Sequence, residues 1–329
     1  MPDTSPVAAA PHPQGPVATP PGAAPVTRGR SLGQRAFERL RRNPIALVSL
    51  AYIVVLIAVA LFAPLIAPYG YATVDFTAIT QAPSERYWLG TDQLGRDVLS
   101  RLIHGARVSL SVAFVAQAII LLIGVPIGLA SGYIGGRFDL IVQRVVDVLY
   151  AFPSLLFVII VMTFVQANLR TASGPVGELL VEANRATGGL IGVFIALGLI
   201  FWLTVARLVR AEVLKVKTND YIDGARSLGA SDWQIVRRHV FPNVLPPIIV
   251  ATTLGLPSAI MIEAGLSFLG LGVAPPTPSW GLMIADAVPS IRAYPHMILA
   301  PAIALSLTLL AFNFLGDALR DALDPWMSR

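Results

Sequence analysis

Six long apolar stretches, separated by connections that carry almost all of the charge, limit what this chain can fold into. They run over Ile45–Ala67, Val108–Ser131, Val145–Gln166, Gly189–Leu208, Val244–Gly272 and Met297–Leu315, the fourth and sixth being the shortest. At about 1.5 Å per residue, each is long enough as a helix to cross roughly 30 Å of hydrocarbon. Hydrocarbon offers a backbone no partners, so such spans satisfy their own N–H and C=O groups by being helical. Pro44 stands where the first helix starts and tolerates a missing donor, and Pro64 and Pro68 close it. With 55% hydrophobic and 13% charged residues over 329 positions, the chain reads as an all-α integral membrane protein.

Charge then orients the spans. With the N-terminus inside, most of the 24 basic residues fall on the cytoplasmic side, although Arg86, Arg96, Arg101 and Arg107 make the first outside loop an exception. The net charge of +5 is therefore a topology signal and not a nucleic-acid footprint, and both termini are expected to be cytoplasmic. The domain reading follows. Residues 1–27 are a Pro/Ala-rich disordered tail, 28–44 a basic juxtamembrane segment, 45–317 the six-span domain, and 318–329 a cytoplasmic tail. The absence of Cys excludes disulfides, thiolate metal sites and cysteine nucleophiles. His104, His239 and His296 lack metal-ligand spacing, so no metal is expected.

The inside loop of about residues 209–243 is the most distinctive connection. Ser231 and Gln234 form a capping-box pattern that starts a second short helix after a break at Gly229, so two short helices joined by a turn are expected. Asp223, Gly224 and Ala225 set small side chains beside a carboxylate, a surface suited to close approach by another protein. The alternative is a connector lying at the headgroups through Trp233 and its arginines.

Here the sequence resembles the membrane-spanning subunits of bacterial ABC importers, whose cytoplasmic loop carries E-A-A-x(3)-G-x(9)-I-x-L-P. This chain reads D-G-A-x(3)-G-x(9)-H-V-F-P, with Asp223, Gly224, Ala225, Gly229 and Pro242 on the motif positions and Arg226 beside them. "GTDQLGRDVLSRLIHGARVSL" from Gly90, "RHVFPNVLPP" from Arg238, "EAGLSFLGLGV" from Glu263, "PSWG" from Pro278 and "LGDALRDALDP" from Leu315 are similar to the second permease of the dipeptide, oligopeptide and nickel group. The resemblance implies a coupling helix that docks into an ATPase subunit. It also implies a heterodimer with a second permease, two ATP-binding cassette ATPases that hold ATP and Mg, and an extracytoplasmic solute-binding protein. The substrate it implies is a short peptide, with a nickel chelate or another small solute as the alternative. Membrane lipid is the remaining partner.

No G-x-x-x-x-G-K-[ST] occurs, so this chain is expected to hydrolyse no ATP and to be non-catalytic. "DGAR" at Asp223 has the wrong register for a phosphatidyltransferase metal signature and is followed by no pair of ligating aspartates. An ion-gradient-driven transporter needs paired internal charges or an inverted repeat, and a single acid lies well inside a span. That acid is Glu263, a candidate for the translocation pathway that should face the subunit interface or a cavity; the alternative is helix packing through Ser or backbone partners. In the outside loop, Asp92, Arg96 and Asp97 are candidates for a self-satisfied structure, in which Asp92 and Asp97 pair with Arg96 and Arg101, or for docking the binding protein. Gly124, Gly128 and Gly132, and Gly255 with Ala259, are small-residue stripes for close helix packing.

Overall fold

The computed structural model describes residues 32–171 and 173–323, so the expected tail over residues 1–27 lies outside the described residues. Helix α1 (Leu32–Arg42) carries the basic juxtamembrane residues, and α2 (Pro44–Leu61) is the first crossing. Asn43 caps α2 by accepting from the Ala46 N–H at 3.2 Å, and Pro44 occupies the first turn, as the missing donor allows. A one-turn α3 (Ala63–Ile66) follows. The remaining helices are α4 (Val98–Ile134), α5 (Gly136–Tyr150), α6 (Ser154–Thr171), α7 (Gly174–Ala186), α8 (Ile191–Lys217), α9 (Asp220–Ser227), α10 (Asp232–Ile235), α11 (Phe241–Phe268), α12 (Trp280–Ala287) and α13 (His296–Leu323). Among the described residues there is no β-sheet.

Five crossings are long and apolar enough to span a bilayer: α2, α4, α8, α13, and α10 to α11 taken as one rod. The sixth differs from the expected Val145–Gln166. Helix α5 ends at Tyr150, and α6 restarts at Ser154 after a bend of 90°. Pro153 disfavours helical backbone at the residue before it, which breaks the rod there. Helix α5 has one polar and one apolar face, with Phe138, Ile141, Val145 and Val148 exposed, and so suits the interface plane better than the hydrocarbon. Its polar face is tied to α8. Arg210 grips Asp139 through two hydrogen bonds of 2.5 and 2.6 Å, and Arg207 pairs with Asp147.

The fourth and sixth spans are 27 and 28 residues long and not the shortest, and α13 takes up part of the expected tail 318–329. In α8 the charged run after Leu208 continues as helix because Val209, Val213 and Val216 stay buried on one face. The break expected at Gly229 is present, but the second short helix is continuous with the fifth span. A single wide π turn, Val236–Val240, joins α10 to α11, so the chain runs from Asp232 to Phe268 without a loop. Pro242 removes one backbone donor, and a wide turn is the known way for a helix to absorb such a local fault.

Packing is closest between α4 and α8. A Cβ added at Gly124, Gly128 or Gly132 would lie 2.8, 2.6 or 2.8 Å from α8 atoms, so the stripe lets the two backbones meet. Three apolar clusters result: one on α4, α6 and α8, one on α2, α4, α11 and α13, and a third that roots α9 and α10.

Candidate functional site

The chemistry-bearing residues fall at the two ends of the helical bundle. At one end, α9 and α10 form a hairpin that is buried at its root and exposed elsewhere. Ile222 and Ile235 are fully buried in the third cluster with Val240 and Val244, and Ala225 packs against them. Ser231 accepts from the Gln234 N–H while the Gln234 side chain accepts from the Ser231 N–H, so the expected capping box is present. Lys217 donates to the Tyr133 carbonyl at 2.5 Å and the Tyr133 hydroxyl to Asp232 at 2.6 Å, tying the hairpin to α4 and α8.

The outward face is different. Asp223 is exposed and pairs with the less exposed Arg226 at 3.3 Å. A Cβ on Gly224 would meet nothing within 4 Å, so nothing inside the chain requires glycine there. Gly229, with φ of +81°, reverses the chain between the two helices. Leu228, at 90% exposure, and Trp233, at 70%, complete an apolar surface around these groups. Pro242 is exposed but stands apart from the hairpin, at the start of α11.

At the opposite end, polar groups are turned inward. Asp92 accepts from the Arg96 side chain at 2.7 Å and forms an ion pair with Arg101 at 3.3 Å, and its other oxygen accepts from the backbone N–H groups of Leu94 and Arg96. Asp97 does not pair with an arginine as expected. It is the N-cap of α4 and accepts from the Ser100 N–H and hydroxyl at 2.8 and 2.6 Å, because it stands immediately before the first helical turn. Asp75 accepts from Thr77 and from the Tyr87 hydroxyl, and these hydrogen bonds hold its carboxyl below the usual carboxylate range.

Glu263 also belongs to this inward arrangement, in the manner of the helix-packing alternative with Ser partners. It is fully buried, and one oxygen accepts from the Ser267 and Ser279 hydroxyls, each at 2.7 Å. Ser279 in turn caps α12, while Trp280 donates its backbone N–H to Ser109 and its indole N–H to the Leu102 carbonyl. The "EAGLSF" and "PSWG" stretches thus meet in one knot that fastens α11, α12 and α4. One oxygen of this costly ionisable group finds both of its partners within its own chain, while the other is buried without a hydrogen bond among the described residues.

The geometry is that of a helical membrane bundle with one protruding hairpin, and comparison with known proteins names it. Residues 124–329 match the family model described as "Binding-protein-dependent transport system inner membrane component", and residues 31–83 match the "N-terminal TM domain of oligopeptide transport permease C". The chain belongs to this family of transport-system membrane components. The oligopeptide transport system permease protein OppC of Bacillus subtilis (strain 168) is 40% identical over 295 residues, which cover 90% of each chain. The dipeptide transport system permease protein DppC of the same organism is 39% identical over 300 residues, 91% of this chain and 87% of that one. The glutathione transport system permease protein GsiD of Pectobacterium atrosepticum is 36% identical over 305 residues, 92% of this chain and 94% of that one. A solved chain of the inward-facing MetNI methionine ABC transporter has the same fold, with a TM-score of 0.53 at 20% identity, over 68% of this chain and 96% of that one.

The permease is thus a multi-pass membrane subunit of an ABC importer. Its bundle has one mid-depth feature that the sequence reading did not single out: a cavity of about 390 Å³ between α4, α8 and α11, lined by Gln117, Thr204 and Ser258 among apolar neighbours. Gly255 makes room for the Gln117 amide, since a Cβ there would lie 2.4 Å from its oxygen. Glutamine on an apolar helix was the available signal, masked because Gly255 reads as a packing residue.

Proposed function

We propose that this permease carries short peptides across the membrane and takes its driving force from ATPase subunits docked on the α9–α10 hairpin. The observation that carries the coupling half is the contrast within α9: Ile222 is rooted in the core, while Asp223 and Gly224 are displayed with no partner to satisfy from another helix. A small, acid-marked and otherwise unused surface suits a groove on another protein. In this reading Asp223, Gly224, Ala225, Arg226 and Gly229 form the contact, and Pro242 shapes the helix that carries the motion inward. Rigid-body movement of the ATPases then passes through Ile222, Ile235 and Val240 into α8 and α11. ATP and Mg are held by the ATPases, and this chain is non-catalytic.

The peptide half is supported by the similarity to the oligopeptide and dipeptide transport permeases, which align over about nine-tenths of the chain. The cavity bordered by Gln117 and Ser258 is this subunit's contribution to the pathway, completed by a second permease. Both termini and the hairpin are cytoplasmic. The opposite end, with Asp92, Arg96 and Asp97, faces outward and receives a solute-binding protein.

The test is copurification and substrate-stimulated ATP hydrolysis of the reconstituted importer. Asp223→Arg and Gly224→Trp should each insert and melt like the wild type while losing ATPase attachment or stimulation. Wild-type attachment and stimulation in both variants would sink the coupling assignment. Uptake of a panel of peptides and nickel chelates tests the substrate.

A further inference from the structure

The outward end holds a second cavity that the coupling and pathway assignments do not use. It has a volume of about 400 Å³ and opens between the early turns of α4, the turn from α7 to α8, and the loop from α11 to α12. Its charge is unbalanced. Arg107 and Arg185 both border it, together with His104, Tyr71 and Thr277, and no carboxylate lines it. Among the described residues, neither of these guanidinium groups makes an ion pair or a hydrogen bond, whereas Arg96, Arg101, Arg207 and Arg210 each hold an aspartate.

The fold brings the two cations to one cavity by close backbone contact. Gly188 and Gly189 have φ of +68° and +90°, and the Ala274 N–H donates to the Gly188 carbonyl at 2.9 Å. A Cβ at Gly188 would lie 3.3 Å from Thr277, so glycine seats this turn flush on the α11–α12 loop and sets Arg185 across the cavity from Arg107. The Tyr71 and His104 rings, 4.9 Å apart, form a wall, and Val115 and Phe194 give an apolar floor.

Two like charges on one cavity repel each other unless an anion lies between them. Guanidinium forks match a carboxylate in shape and hydrogen bonding, and the Thr277 and Tyr71 hydroxyls can donate as well. We propose that this cavity is an oxyanion subsite that receives the C-terminal carboxylate of the peptide as it enters the permease, with the last side chain on the apolar floor. The proposal rests on the peptide reading above.

The experiment uses the complete importer in proteoliposomes, with the binding protein saturated by either a tripeptide or the same tripeptide amidated at its C-terminus. Arg107→Gln with Arg185→Gln should lower transport of the free-acid peptide by roughly tenfold or more, since two charge-assisted contacts are lost, and leave the amide unchanged. Arg107→Lys with Arg185→Lys should restore most of the difference. An equal fractional loss for both peptides, or no loss for either, overturns the proposal. So does a requirement for phosphatidylglycerol vesicles that the Gln variant lacks without any change in peptide preference, which assigns the site to a lipid headgroup. A wild-type importer that transports neither peptide overturns the peptide reading itself, a result distinct from all the others.

Discussion

Gly224 and Gly281 are both glycines in short helices, one at each end of the bundle, and their surroundings are opposite. A Cβ on Gly281 would lie 2.4 Å from the Ala264 Cα, whereas a Cβ on Gly224 would touch nothing. The same contrast holds for the acids: Glu263 is enclosed by the hydroxyls of Ser267 and Ser279, and Asp223 stands in the open beside Arg226. A motif residue whose reason lies inside the chain answers to stability. One with no internal reason is open to a partner, as the coupling proposal requires.

That comparison can be broken by experiment. The largest effect is expected from Gly281→Leu, which drives a side chain into the α11 backbone and should leave no folded permease in detergent, read by monodisperse elution. Normal elution would show that the knot around Glu263 can open. Next is Ile222→Asp, a carboxylate placed in the dry root of the hairpin at a cost of about 3–5 kcal/mol. It should lower the melting temperature and abolish ATPase attachment together, unlike Gly224→Trp, which should affect attachment alone. Loss of attachment with an unchanged melting temperature would mean that the hairpin is not part of the cooperative core.

Glu263→Ala should cost about 1–3 kcal/mol, because two buried serine hydroxyls lose their acceptor, while Glu263→Gln keeps an acceptor and should be milder. Both should leave the ATPase attached. A stability loss in Gln equal to that in Ala would point to the charge and not the hydrogen bonds. The smallest effect concerns Asp75. Its carboxyl is held below the ordinary value of 3.8, so it contributes stability above that pH and loses it as pH falls through its depressed folded value. Asp75→Asn should therefore lower the melting temperature slightly at neutral pH and flatten the acid limb of the profile, so that the variant and the wild type converge below about pH 4.

Where the sequence reading departed from the structure, the departures share a cause. Val209, Val213 and Val216 extend α8 far past the apolar run, since a helix continues wherever one face is buried, even when Arg210, Lys215 and Lys217 occupy the other. A hydropathy boundary marks the end of the hydrocarbon and not the end of a helix. Pro153 produced a 90° bend, yet Pro242, Pro246 and Pro247 passed within a continuous rod. A proline removes one donor in each case, and neighbouring packing decides whether the chain turns or absorbs the loss.

The sequence by itself determined the all-helical membrane class, the family, the capping box at Ser231, the close packing at Gly124, Gly128 and Gly132, and the position of the hairpin. Each of these depends on residue type and short-range spacing, which a linear chain displays directly. Only the tertiary structure decided that Glu263 faces Ser279, that Asp97 is a cap, that Asp139 and Arg210 clasp across 71 positions, and that Arg107 and Arg185 border one cavity. These pairings come from distant segments brought together by helix packing. A buried charge can be read for its cost from sequence, but its partner is settled by which helices lie against it.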